Sequence, residues 1–383
     1  MARGMALEAA RAAAAAAAAL ALAACSSSSG PQPAPLPDLP GAKEVRVLWS
    51  ADAGGAGSAG GYTFFPALTA DAVYVAARAG SVARLDPADG RERWSVSTER
   101  QLSGGVGANA GMVVVGTEEG EVIALEAESG KLRWRARASS EVLTPPVMVA
   151  DLILVRTIDN RIFGFNAADG KRRWVYQRAP GSLILRIPTG LAASADTVYA
   201  GFSGGKLAAI ALSNGALRWE ATVAVPKGAN ELERITDVVG APALQGREVC
   251  AASYQGRVAC FEADSGKGIW ARDLSSITGV SIDARYAFVA DERGTVHAFD
   301  RSNGATVWKQ EKLSYRRLSL PLATGATVAV GDFEGEIHFL SRESGNFVAR
   351  FSARGGPVRA APVALAEGIL VQTQSGGLYA LSP

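Results

Sequence analysis

The chain has 383 residues, of which 48% are hydrophobic and 20% charged, and its formal net charge is +2. That apolar content is ample for a buried core, while so even a charge balance argues against broad nucleic-acid binding, which needs a strongly basic face. No apolar run reaches the roughly 20 residues that a membrane-spanning helix requires.

In chain order, the first element is a leader. Arg3 and Arg11 make a basic start, weakened by Glu8, and residues 12–24 are an apolar stretch of 13 residues. That is the length of a secretory signal-peptide core. The stretch ends in Leu22-Ala23-Ala24-Cys25, which resembles the lipobox of bacterial lipoproteins. The resemblance implies a signal peptide over residues 1–24 and acylation of Cys25. Ser26, rather than aspartate, after the cysteine implies sorting to the outer membrane. Residues 25–44, rich in serine and proline, then read as a flexible tether without a fold of its own.

The remainder, residues 45–383, is a repeat. Six copies of a module such as VVVGTEEGEVIALEAESGKLRW end in tryptophan, with glycine four residues earlier: Gly90/Trp94, Gly130/Trp134, Gly170/Trp174, Gly215/Trp219, Gly266/Trp270 and Gly304/Trp308. A seventh copy keeps Gly345 but has Ala349 where tryptophan belongs. Each module contains two β-rich runs around a polar or glycine tip, then a turn of the Ala-Asp-Gly type and a third run. A further apolar run precedes each hairpin, making four strands per unit. Successive repeat glycines lie 40, 40, 45, 51, 38 and 41 residues apart, the spacing of propeller blades.

The last copy, residues 368–382, stops before a Gly-x-x-x-Trp strand, and the unused Trp49 lies in the first strand, VRVLWS. That strand is therefore expected to complete the last blade. The prediction is an all-β, eight-bladed propeller of four-stranded antiparallel blades, its last blade closed by the N-terminal strand. Trp49, Trp94, Trp134, Trp174, Trp219, Trp270 and Trp308 are expected to be structural, as wedges covering a blade face or junction.

Few residues suggest chemistry. His297 and His338 share one repeat position on adjacent blades, which reads as a repeat-face residue rather than a metal ligand. No C-x-x-C, C-x-x-C-H, H-E-x-x-H or G-x-S-x-G motif is present. Cys250 and Cys260 are equidistant from Gln255 and so face each other across the fifth hairpin. Two readings stay open: a packed pair of small apolar side chains, or a cross-strand disulfide formed in an oxidising compartment.

A repeat ending in (Asp/Ser)-Gly-x-x-x-Trp resembles the PQQ-type propeller repeat, which two families share. Quinoprotein dehydrogenases are longer, hold pyrroloquinoline quinone and calcium, and carry adjacent cysteines, which this chain lacks. The BamB family consists of lipoprotein subunits of the outer-membrane β-barrel assembly (BAM) complex. The resemblance to it runs from Cys25 through the final blade. It implies a non-enzymatic scaffold without cofactor or metal, lipid-anchored at the periplasmic face of the outer membrane. The implied partners are the POTRA domains of BamA, other BAM subunits and unfolded outer-membrane proteins. The alternatives are a periplasmic quinoprotein enzyme and a propeller lipoprotein with another periplasmic partner.

Two segments sharpen the resemblance. Residues 182–186, Ser-Leu-Ile-Leu-Arg, are similar to the Ser-Leu-x-Leu-Arg stretch with which the family contacts BamA, implying partner-binding roles for Leu183, Leu185 and Arg186. Residues 231–239 resemble a second partner-facing segment with an Asp-Val-Asp motif. Asp237 matches its first acid, and Val239 stands in place of the second. Both segments fall in the two longest intervals between repeats, where loops projecting from one rim would lie.

Overall fold

The computed structural model of the protein describes residues 31–54, 62–179, 183 and 185–383. The leader, Cys25, Ser182 and Ile184 lie outside the described residues. Each repeat becomes one blade. In the second, the strands are Leu102–Ala108, Met112–Thr117, Glu121–Glu126 and Leu132–Arg137. The first three are buried along most of their length, while the fourth alternates because only one of its faces meets a neighbour.

The described residues form eight such antiparallel sheets. In the eighth, Val363–Leu365, Gly368–Gln372 and Gly377–Ser382 are completed by Arg46–Asp52, with Trp49 opposite Ala380. The first strands of successive blades adjoin one another, and Val363–Leu365 adjoins Ala67–Leu68 of the first blade. The ring is therefore closed as predicted.

The core consists of slabs between blades. Val114 and Val122 of the second blade pack with Ile153 and Val155 of the third, and comparable clusters fill the other junctions. The tryptophans staple these junctions. A β-bulge in the fourth strand, between Leu132 and Trp134 in the second blade, aims the indole at the next blade. There Trp134 Nε1 donates to Ala167 O at 2.9 Å, and the ring covers Gly170.

The same staple recurs around the ring, each indole donating to a turn carbonyl of the next blade and covering that turn's glycine. Trp49 pairs with Pro87 O over Gly90, and Trp94 with Ala127 O over Gly130. Trp174 pairs with Leu212 O over Gly215, and Trp219 with Ala263 O over Gly266. Trp270 pairs with Arg301 O over Gly304, and Trp308 with Arg342 O over Gly345. Trp94 and Trp219 remain half-buried, whereas the other five are buried. The seven covered glycines have φ between 69° and 73°, a region that a side chain disfavours.

The junction between the seventh and eighth blades has no tryptophan, since Ala349 occupies that position, fully buried. The chain's own N-terminal segment covers this sector. Ala34 N–H donates to Ser314 O, Arg350 Nη2 to Pro37 O, and Lys43 N–H to Val348 O. Leu36 packs on the cluster between blades six and seven, and Val45 on that between seven and eight. Residues 34–44 thus belong to the compact unit Ala34–Pro383, so this part of the segment read as a tether is packed on the propeller. The physical reason is that the outer strand of the seventh blade and the connection before it offer carbonyls and apolar surface to the passing chain.

A buried polar network reinforces the same place. Arg316 Nε donates to Asp332 Oδ2 at 2.6 Å, and Arg316 Nη1 to Ala34 O at 3.1 Å. His338 Nε2 donates to the same Asp332 oxygen at 3.0 Å. His297 repeats the pairing with Asp291 one blade earlier. Each aspartate sits at a hairpin tip, where its other oxygen accepts two backbone N–H groups. Cys250 and Cys260 are direct cross-strand partners, as are Val114/Ala124, Leu154/Gly164 and Tyr199/Ala209 in other blades. The two cysteines are joined in a disulfide.

Candidate functional site

Antiparallel strands alternate in direction, so each blade's central hairpin tip and its connection to the next blade share one rim. All the residues of the candidate site lie on this rim. The connection after the third blade carries Leu183, Leu185 and Arg186, and the connection after the fourth carries Asp237. Leu183 is 45% exposed. Around it the same rim exposes Val225, Leu232, Ile277 and Tyr315, each on a connection between blades. Exposed apolar side chains thus recur on this rim from the third to the sixth connection.

Arg186 is held rather than free. Its Nη2 donates to Glu141 Oε1 at 2.7 Å and to Tyr62 Oη at 3.1 Å. Tyr62 precedes the first blade and Glu141 follows the second, so the arginine reaches across the rim from the third connection. Burial pulls its pKa down, but the Glu141 carboxylate and Tyr62 outweigh this and leave it raised. Arg78 also lies over the Tyr62 ring, 4.0 Å from its centroid, and pairs with Glu118. The guanidinium of Arg186 is thus oriented with half of its side chain still exposed.

Asp237 lies beneath the rim surface rather than on it. It is buried, and its Oδ2 accepts the Leu185 N–H at 2.7 Å. It therefore ties the connection carrying Leu183 and Arg186 to the connection after the fourth blade. Burial raises its pKa, against the lowering effect of the Leu185 and Gly204 N–H groups and of Arg156. Val239, at the family's second acidic position, is fully packed and joins the strand Val238–Gln245.

The fourth-blade connection also contains a capped turn. Glu233 N–H donates to Asn230 Oδ1, and the Glu233 carboxylate accepts from Ala229 N–H and Asn230 Nδ2. This reciprocal capping holds Leu232 outward, 67% exposed. Leu232 lies inside the segment 231–239 but is not one of its acidic positions. Sequence reasoning also missed Tyr62, Glu141 and Arg156. The first two lie far from Arg186 in the chain, and the stacking of the first blades brings them together.

Residues 78–310 match the family described as outer membrane protein assembly factor BamB. The BamB of Bordetella pertussis is 43% identical over 335 residues, covering 87% of this chain and 86% of that protein. The crystal structure of BamB from Moraxella catarrhalis superposes with a TM-score of 0.81 at 27% identity, covering 89% of this chain and all of that one. Quinohemoprotein alcohol dehydrogenase from Comamonas testosteroni has a TM-score of 0.67 at 14% identity, covering 88% and 76%, a likeness of fold alone. A match over most of the chain, in sequence and in blade architecture, decides the family: the chain belongs to the BamB family of outer membrane protein assembly factors.

Proposed function

We propose that this protein is a non-enzymatic scaffold of the BAM complex, anchored by a lipid on Cys25 at the periplasmic face of the outer membrane. It docks on the POTRA region of BamA through the rim that carries Leu183, Leu185 and Arg186. Asp237 acts beneath them as a positioning residue. The observation that carries this reading is an exposed leucine beside an oriented, half-exposed arginine, on a connection pinned from below by a buried carboxylate. Arginine is among the residues enriched in binding hot spots.

The other BAM subunits and unfolded outer-membrane proteins are the further partners of this reading. Free outer strand edges and rim connections offer such substrates a place for β-augmentation. The test is isolation of the lipidated full chain from outer membranes. BamA is expected to accompany the wild type. Cys25→Ser is expected to release the protein from the membrane. Wild-type protein that consistently comes without BamA would sink the proposal.

A further inference from the structure

The third blade departs from the repeat at two positions that meet in space. Six of the other copies have a small residue at one position: Ala76, Gly116, Gly201, Ala252, Ala290 and Gly331; the third has Arg156. At the hairpin tip, where the other seven copies have glycine, it has Asn160, which keeps a positive φ of 62°. Both side chains line one cavity of about 220 Å³ beside Leu185 and Ile187.

Arg156 is 8% exposed, and its Nη1 has no hydrogen-bond partner among the described residues. Its guanidinium lies against the Phe202 ring, 4.9 Å from the centroid. Burial lowers its pKa to about 10, so it stays charged at neutral pH. Among the described residues it forms no ion pair; Asp237 acts on it only at longer range. A buried guanidinium without a paired anion is costly, and the blade keeps it where its counterparts are mostly alanine or glycine. Asn160 is 5% exposed and reaches Ser203 Oγ only at 3.5 Å. Leu143, Ile158 and Ile187 give the same cavity apolar walls, and Asp237, which accepts the Leu185 N–H, lines it as well.

We propose that this cavity receives a carboxylate on a short apolar stem, bound by the Arg156 guanidinium with the Asn160 amide as second donor. The source the rim favours is an acidic side chain of the docked protein partner, because Leu185 and Arg186 line the cavity as well as the docking surface. That choice of source rests on the proposed docking; the carboxylate site does not.

The probes are N-acetyl-glutamate amide and sodium butyrate, with N-acetyl-glutamine amide and butyramide as neutral counterparts. All are titrated into the ¹⁵N-labelled protein at constant ionic strength. The Arg156 Nε–H resonance is expected to shift saturably with both carboxylates and with neither amide. Asn160→Gly, which restores the repeat residue, is expected to weaken that response several-fold, and Arg156→Gln to abolish the accompanying shift at the Leu185 amide. No saturable shift in the wild type, or equal shifts with the amides, would overturn the proposal whatever the variants do.

The source is read from binding to the BamA POTRA region. Arg156→Gln weakens it about tenfold if the partner supplies the acid, and leaves it unchanged if the ligand is a free small carboxylate. Wild-type protein that ignores BamA yet retains the carboxylate response would refute the docking reading alone.

Discussion

Trp134 closes over Gly170 of the next blade so tightly that a Cβ on the glycine would stand 2.6 Å from the indole Cε3. The same indole donates to Ala167 O at 2.9 Å. Trp134→Ala is expected to cost about 3–5 kcal/mol, the range for truncating a buried aromatic. Trp134→Phe, which keeps most of the packing but loses the hydrogen bond, is expected to cost about 1 kcal/mol more than the change in volume alone. Gly170→Ala must both displace the indole and adopt φ near 70°, so its loss is expected to exceed about 1 kcal/mol. Denaturant midpoints decide; a neutral Gly170→Ala would contradict the staple.

The segment from Ala34 to Lys43 covers a sector that lacks its own tryptophan. A chain beginning at Glu44 is expected to be less stable than one beginning at Ala34, by on the order of 2 kcal/mol, because it gives up the hydrogen bonds and apolar packing of that segment. Equal melting of the two chains would show that the segment rests on the propeller without holding it.

Acid is expected to loosen the same sector. Burial holds the His338 imidazole below its usual value near 6.5, although Asp332 acts in the opposite direction and Arg316 and Arg350 add to the lowering. The unfolded chain therefore takes up this proton first. The histidine's contribution is complete above pH 6.5 and is lost as pH falls from there through the folded value. Asp332 titrates lower. Burial pushes its carboxyl up, but the hydrogen bonds from His338 and Arg316 prevail and hold it below 3.8. Its contribution is present above pH 3.8 and is lost as pH falls through that lower folded value, so the two groups have the same sign. His338→Gln is expected to flatten the fall in stability just below pH 6.5, as measured by chemical denaturation across pH.

Asp237 is expected to act on the rim through the backbone. Asp237→Ala removes the acceptor for Leu185 N–H, and a hydrogen bond to a charged acceptor is worth about 1.5–3 kcal/mol. Amide exchange at Leu185 should therefore accelerate by about tenfold or more. Asp237→Asn, which keeps an acceptor oxygen, is expected to retain part of the protection. Unchanged exchange in the alanine variant would remove Asp237 from its positioning role.

Much of this architecture was legible because it is written many times. Gly-x-x-x-Trp recurs at every stapled junction except the first, where Trp49 and Gly90 meet only after the ring closes. The wedge role read for Trp94, Trp174, Trp219 and Trp270 follows from that phase alone, because each repeats the geometry of Trp134. The register pair Cys250/Cys260 could be read by counting from a hairpin tip. Arg186 was legible as a motif, but its partners were not. Tyr62 and Glu141 lie 124 and 45 residues away in the chain, and neither shares a pattern with it. The burial of Asp237 was not legible, because a motif specifies which residue is present and not which way it faces. Arg156 could have been found by asking where one copy breaks a rule that the others keep. Residues 34–44 look like a linker by composition, and only the missing tryptophan at Ala349 hinted that something else must cover that junction.

The central claim is that the rim carrying Leu183 and Arg186 is the surface that BamA meets. Its most direct test is the affinity of the purified protein for the POTRA region of BamA, in wild type, Leu183→Ala, and Leu183→Ala with Arg186→Glu. Leu183 is exposed, so its truncation should leave melting unchanged while weakening binding several-fold. The double change should weaken it by more than about tenfold, or about 1.4 kcal/mol. Undiminished affinity in both variants, with the fold intact, would contradict the account.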